Sequence, residues 1–311
     1  MVIRYRLDRQ NLQMRLLLIL LLCLPMASNA KKIYQYVDED GITHFTDVAP
    51  DTEQTVSSRT VRVDNPKMIT LRTADLADGS RDVFVFNHWW GPAELKVRFP
   101  QRTDIQLDGP AQRGQAVLPA YLETRILNIS ATGPRAAFEM SMSATPGDPD
   151  AVVDEEFVYA APFAGNRFVI TQAFNGEFTH AGRQNRYAID IALPEGTPVV
   201  AARAGVVMSV EDDYFNEGTR PEYAARANNV RVIHGDGGMA VYAHLLSESV
   251  VVRPGQRVRL GQKLGLSGNT GFSSGPHLHF VVQRNQGGEL TSVPFTLADG
   301  FPQLGQLIWG Q

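Results

Sequence analysis

Cysteine is nearly absent. The chain has one in 311 residues, Cys23. From residue 31 onward there is none, which excludes a disulfide framework and any thiolate metal site. A metal would have to be held by His, Asp or Glu. A lipidated cysteine needs a small residue before it, and Leu22 stands there instead. Long apolar runs are also missing. The unbroken run Leu16 to Leu24 is too short to span a bilayer, and Pro25 ends it, so no stable membrane span is expected. An excess of positive charge is missing too. The net charge is −4, and it falls to −7 without Arg4, Arg6, Arg9, Arg15 and Asp8 of the first thirty residues. That balance argues against a nucleic acid partner. Finally, helical periodicity is lacking along the whole chain, and the expected fold class is all-β.

What is present starts with a leader. Four arginines precede the apolar run, and Pro25-Met26-Ala27-Ser28-Asn29-Ala30 places small residues where a signal peptidase reads. Residues 1–30 are expected to be a secretory signal cleaved after Ala30, with Met14 an alternative start, and the product is expected in the periplasm. Residues 31–55 form a small β unit. Aromatics alternate on both sides of Asp40-Gly41, from Tyr34 to Phe45, as in a hairpin, and His44 is a surface residue of it. This unit resembles a short domain of unknown function that follows the signal in many proteobacterial envelope proteins. It is a candidate contact for an envelope protein partner.

Residues 60–150 read as short alternating segments broken by turns such as Asp78-Gly79 and Asp108-Gly109-Pro110. The expectation is an immunoglobulin-like β-sandwich. Ser143 to Asp154 is turn-rich and acidic, and is expected to be a linker. Residues 160–290 form a compact antiparallel β domain, and 291–311 a C-terminal tail.

Only seven histidines exist, yet Gly275-Pro276-His277-Leu278-His279-Phe280 holds two around one leucine. Side chains alternate across a strand, so His277 and His279 share a face. Two imidazoles side by side suit a metal and an acid–base partner. The same rule places His244 with Ala240 and Tyr242. Asp190 sits mid-strand in Tyr187-Ala188-Ile189-Asp190-Ile191, with Ala188 and Ala192 leaving room above it. A carboxylate there needs a cation or donor. His234, before Gly235-Asp236-Gly237-Gly238, reads as a surface residue of a hairpin end. The glycine-rich loop Gly268 to Gly275 is expected to face substrate, and the loop Asp212 to Asn228 to wall the same groove.

Taken in order, Thr179-His180, Ala188-Ile189-Asp190, Pro194-Glu195-Gly196-Thr197-Pro198-Val199, Tyr242-Ala243-His244-Leu245 and Gly268 to Phe280 resemble the lysostaphin-type zinc endopeptidases that cut peptidoglycan cross-bridges. The resemblance spans about residues 162–285. It implies one Zn²⁺ per chain held by His180, Asp190 and His279, with His244 and His277 as catalytic histidines. It also implies peptidoglycan stem peptides as substrate. Three N and O ligands leave the open fourth position of a catalytic zinc. The nine residues between His180 and Asp190 exceed the three found in many relatives, and Val281 stands where relatives often carry an acid. The alternative is a non-catalytic envelope protein that activates a cell-wall amidase. Such degenerate relatives lack some of the five positions, which here are all filled.

Overall fold

The computed structural model describes residues 2–6, 30–37, 43–46, 55–62, 68–177, 179–223 and 226–311. Of the expected signal, residues 2–6 and Ala30 are described, while its apolar run, Pro25 to Asn29 and the Asp40-Gly41 turn lie outside these. Among the described residues there is no α-helix, only a 3₁₀ turn at Pro221–Tyr223. Among the described residues no helix is long and apolar enough to cross a membrane. The chain divides into two compact units, one of residues 1–30 and 62–146 and one of residues 31–61 and 147–311.

The first unit has two four-stranded sheets around one core. Ile69–Asp75, Arg81–Asn87, Leu122–Ala131 and Ile105–Asp108 build one sheet; Val2–Arg6, Ala137–Pro146, Ala93–Thr103 and Gln115–Leu118 build the other. Inward residues come from both, including Val83, Val85, Leu95, Val97, Leu127, Ile129, Phe138 and Met140. The two four-residue strands were not legible in sequence, because four residues hold too little alternation to stand out.

The second unit centres on a nine-stranded sheet. Its order is Arg257–Val258, Gly205–Glu211, Asn229–Ile233, Met239–Ala243, Leu278–Asn285, Ala188–Ile191, Arg167–Gln172, Leu307–Trp309, with Leu290–Ser292 also pairing Leu278–Asn285. Neighbours in this path run antiparallel. Alternation divides each strand between two tasks. In Leu278–Asn285, Leu278, Phe280 and Val282 enter the apolar core, while His279, Val281 and Gln283 line an open groove. Phe280 is fully buried, with Tyr242 and Phe295 rings at 5.2 Å and Tyr159 at 6.2 Å. Truncating such a side chain costs about 3–5 kcal/mol.

Three boundaries differ from the sequence reading. Residues 143–146 continue a sandwich strand. From Gly147 onward the chain belongs to the second unit: the Asn285 amide donates to Gly147 O, and Val153, Tyr159 and Phe163 are buried in its core. Val158–Tyr159, just past the expected linker, pairs with Thr296–Leu297 there. Residues 291–311 complete the sheet instead of trailing from it, since Leu307–Trp309 pairs with Arg167–Gln172 and Ile308 is fully buried. In each case a few apolar side chains in a polar stretch supply the anchor.

His234 does end a hairpin, its N–H donating to Gly238 O at 2.8 Å, but the side chain is buried, not exposed. Its Nδ1–H donates to Ala204 O at 2.9 Å, and Nε2 has no partner. Burial pushes the imidazole down to about 4. The unfolded ring titrates near 6.5, so between about pH 6.5 and 4 the unfolded chain binds a proton that the native ring refuses. Stability from this site is full above that window and is lost as pH falls through it, by up to about 3 kcal/mol. His234→Gln, which cannot protonate, is expected to flatten the acid limb of urea-melt stability between pH 7 and pH 4. An unchanged limb would reject the assignment.

Candidate active site

One row of the sheet places the site. Reading across five strands, Asn229 lies opposite Ala243, Ala243 opposite His279, His279 opposite Asp190, and Asp190 opposite Gln172. Ala188, Asp190 and Ala192 share the groove side as the alternation requires, and the small alanines leave Asp190 uncovered. The groove has a volume of about 910 Å³.

His180, Asp190 and His279 offer ligand atoms that all lie within 4.8 Å of one another. His180 Nε2 is 3.3 Å and His279 Nδ1 2.9 Å from the same oxygen, Asp190 Oδ1. The other carboxylate oxygen is held by Gln172, whose Nε2 donates to Oδ2 at 3.1 Å. The His180 ring is fully buried, and its Nδ1 is 3.0 Å from Ala173 O. A carbonyl only accepts, so Nδ1 carries the proton, and a neutral ring then aims its Nε2 lone pair at a carboxylate oxygen. Lone pair against lone pair in a buried site is repulsive unless a cation or proton lies between them. A divalent metal with N and O donors fits that arrangement. Burial by itself would raise the Asp190 carboxyl, but positive charge on the ring side, from His180 and His279 when protonated, outweighs it and holds the carboxyl well below the usual carboxylate range, which is the same demand for a cation.

The long loop between His180 and Asp190 does not displace the histidine. His180 N–H donates to Gly176 O and Asn175 N–H to Arg186 O, so the extra residues fold over a closed turn.

His244 and His277 stand beside the trio, their ring centroids 4.4 Å apart, and His277 Nε2 is 3.8 Å from Asp190 Oδ1. His277 shares its face with His279, as expected. His244 does not share a face with Tyr242. Ala240 and Tyr242 point into the core, whereas Val241 and Ala243 line the groove. The chain leaves the strand at His244 in the left-handed region, φ +63°, and this turns the imidazole back over the groove. A non-glycine residue at such a φ is strained, and here the strain places a functional ring. His244 Nδ1–H donates to Thr270 O at 2.7 Å, and His277 Nδ1–H to Gly275 O at 2.8 Å. Both rings therefore present Nε2 to the groove. Burial, reinforced by the charges His277 and His279 would carry, pushes His244 down to about 3, so it is a neutral proton acceptor near pH 7.

The loop after Gly268 faces the groove through Phe272, Ser273, Ser274 and Gly275. Gly271 has φ +85°, and a Cβ there would meet the Ala227 backbone at 2.7 Å, so only glycine fits. Of the loop Asp212 to Asn228, only Ala227 among the described residues lines the groove. Instead, Glu217–Gly218 pairs with Gly271–Phe272 and braces the glycine-rich loop from behind.

Two positioning residues had no signal beyond being polar. One is Gln172. The other is Asn228, fully buried, whose side chain accepts from Tyr214 N–H and donates to Tyr214 O, while its N–H donates to Thr270 Oγ1. It thereby fixes the residue that holds His244.

Comparison with known proteins places this site in context. Residues 184–290 match Peptidase family M23, and residues 20–74 match a domain of unknown function, DUF4124. His180 falls just before the first of these segments. The peptidoglycan DD-endopeptidase ShyA of Vibrio cholerae is 42% identical over 93 residues, which are 30% of this chain and 19% of that protein. The glycyl-glycine endopeptidase ALE-1 of Staphylococcus capitis is 35% identical over 121 residues, 38% of this chain and 30% of that protein. Among solved structures, a catalytic domain of the prophage-encoded M23 protein EnpA from Enterococcus faecalis is 27% identical. It covers 43% of this chain and 92% of its own, with a TM-score of 0.32. The chain spans less than a third of the length of the curated relatives it matches.

Proposed function

We propose that this chain, which carries a lysostaphin-type M23 peptidase domain, is a zinc endopeptidase hydrolysing the peptide cross-links of peptidoglycan. The observation that carries this reading is the convergence of His180 Nε2, Asp190 Oδ1 and His279 Nδ1, with two further imidazoles presenting Nε2 alongside. In this reading His180, Asp190 and His279 are the ligands of one Zn²⁺ per chain. When bound, the ion supplies a Lewis acid for the scissile carbonyl and acidifies a water.

The chain's own residues do the rest. Neutral His244 takes the proton of the attacking water at Nε2, the tautomer being set by Thr270 O. The proton His244 has taken is then returned to the leaving amine, directly or through Nε2 of the neighbouring His277 ring, which is set by Gly275 O, faces the same space and, once protonated, donates to the developing oxyanion. Gln172 keeps Asp190 aimed at the ligand side. The flat, open groove suits an extended peptide strand laid across the sheet. The N-terminal β unit is the proposed contact for an envelope partner.

Zinc-loaded protein incubated with purified sacculi is expected to convert cross-linked to monomeric muropeptides with glycan strands intact, read by mass spectrometry. Full zinc occupancy without any cleavage, together with stimulation of an added cell-wall amidase, would replace this reading with the non-catalytic activator.

The composition of residues 1–30 supports export to the periplasm. N-terminal sequencing of protein from the periplasmic fraction is expected to read Lys31-Lys32-Ile33. An intact Met1 or Met14 would instead indicate a retained membrane anchor.

A further inference from the structure

The groove floor extends beyond the histidines. One pleat repeat along the sheet, Arg231 lies opposite Val241, Val241 opposite Val281, and Val281 opposite Ala188. This second row is apolar except for Arg231. Among the described residues the guanidinium makes one hydrogen bond, Nη1–H to Gln283 Oε1 at 2.8 Å, and Gln283 Nε2–H is itself tied to Gln184 O at 2.8 Å. Asp190 is the one carboxylate among the described groove-lining residues, and it faces the imidazoles. Burial lowers Arg231 to about 10, with no acid pushing it back up. The part-exposed guanidinium borders the open groove on an otherwise apolar row, and an anion arriving there would meet its remaining donors. Its planar fork matches a carboxylate.

We propose that Arg231 is a specificity residue that binds a free carboxylate of the substrate peptide. The inference rests on the endopeptidase reading and deepens it. Arg231 is two strands over from His279 and one two-residue step along. At about 4.8 Å per strand and 3.3 Å per residue, their Cα atoms are roughly 12 Å apart. Three to four residues of extended chain cover that distance, less the reach of the side chains, roughly two residues. The carboxylate recognised therefore lies two or three residues from the scissile bond. Stem peptides carry such groups on side chains and C-termini, and amidation of one removes the charge without changing its shape.

The test uses two soluble cross-linked peptides identical except that this carboxylate is free in one and amidated in the other. With zinc-loaded protein, kcat/KM is expected to favour the free acid by about 10- to 100-fold, the scale of one charge-assisted pair. Arg231→Gln should bring the ratio towards one, and Arg231→Lys should keep part of it, which separates charge recognition from a packing role. An equal ratio in the wild type and Arg231→Gln overturns the inference. If the wild type cleaves neither peptide, the endopeptidase reading fails, and calorimetric binding of the same pair still decides Arg231. Loss of affinity in Arg231→Gln confined to the free acid, and diminished by salt, supports it; equal loss for both peptides overturns it.

Discussion

His279→Ala is expected to remove bound zinc and endopeptidase activity together while leaving the fold intact. In the proposed set His279 Nδ1 is one of three ligand atoms, and a tetrahedral site that keeps two protein donors would not hold the ion at ordinary concentrations. Loss of a partner outside the ligand set already costs 10- to 100-fold in metal affinity, so loss of a ligand should exceed that scale. The fold should survive because the substitution falls on the groove side of its strand, while Leu278, Phe280 and Val282 keep the core side filled. Asp190 retains Gln172 and His180. Elemental analysis and circular dichroism of the purified variant decide the matter, and full zinc occupancy in a folded variant would remove His279 from the ligand set.

The second large effect separates the remaining histidines from the metal. His244→Ala and His277→Ala are each expected to keep one zinc per chain and to lose at least about 10²-fold in kcat, the scale of acid–base and oxyanion contributions. Each ring spends Nδ1 on a backbone carbonyl and has Nε2 left for the groove. His277 is the more demanding case, since its Nε2 is already 3.8 Å from Asp190 Oδ1. Zinc stoichiometry measured beside kcat discriminates between roles. A variant that loses the metal belongs among the ligands, and the set proposed here would have to be redrawn.

Much of this site was legible because it obeys the two-residue period. His277, His279, Asp190, Ala188 and Ala192 fall on one face by alternation alone, and the apolar residues between them fall in the core. His244 was misplaced because alternation presumes an unbroken strand, and a left-handed residue leaves no mark in sequence when it is not glycine or asparagine. His234 was misread for a related reason. Turn chemistry located the hairpin correctly, but the residues that bury its first position, such as Tyr159 with its ring 5.7 Å away, come from the stretch just past the expected linker, 75 residues upstream in sequence. Gln172 and Asn228 were invisible for want of any local pattern. The contacts by which they act, to Asp190, Tyr214 and Thr270, span 14 to 42 residues, and only the assembled fold brings them together.

The facing of His279 and Asp190 has a consequence for how the protein holds its shape. They sit 89 residues apart in sequence and directly across from each other on adjacent antiparallel strands. A slip of one residue between those strands would send one of them into the hydrocarbon interior, so the proposed ligand pair exists only in the native alignment. An ion that binds this alignment and no other draws the population toward it by mass action, like any ligand selective for the native state. Zinc would thus act as a stitch through the middle of the sheet, and chelation should loosen amide protection first at Ala188–Ile191 and Leu278–Asn285.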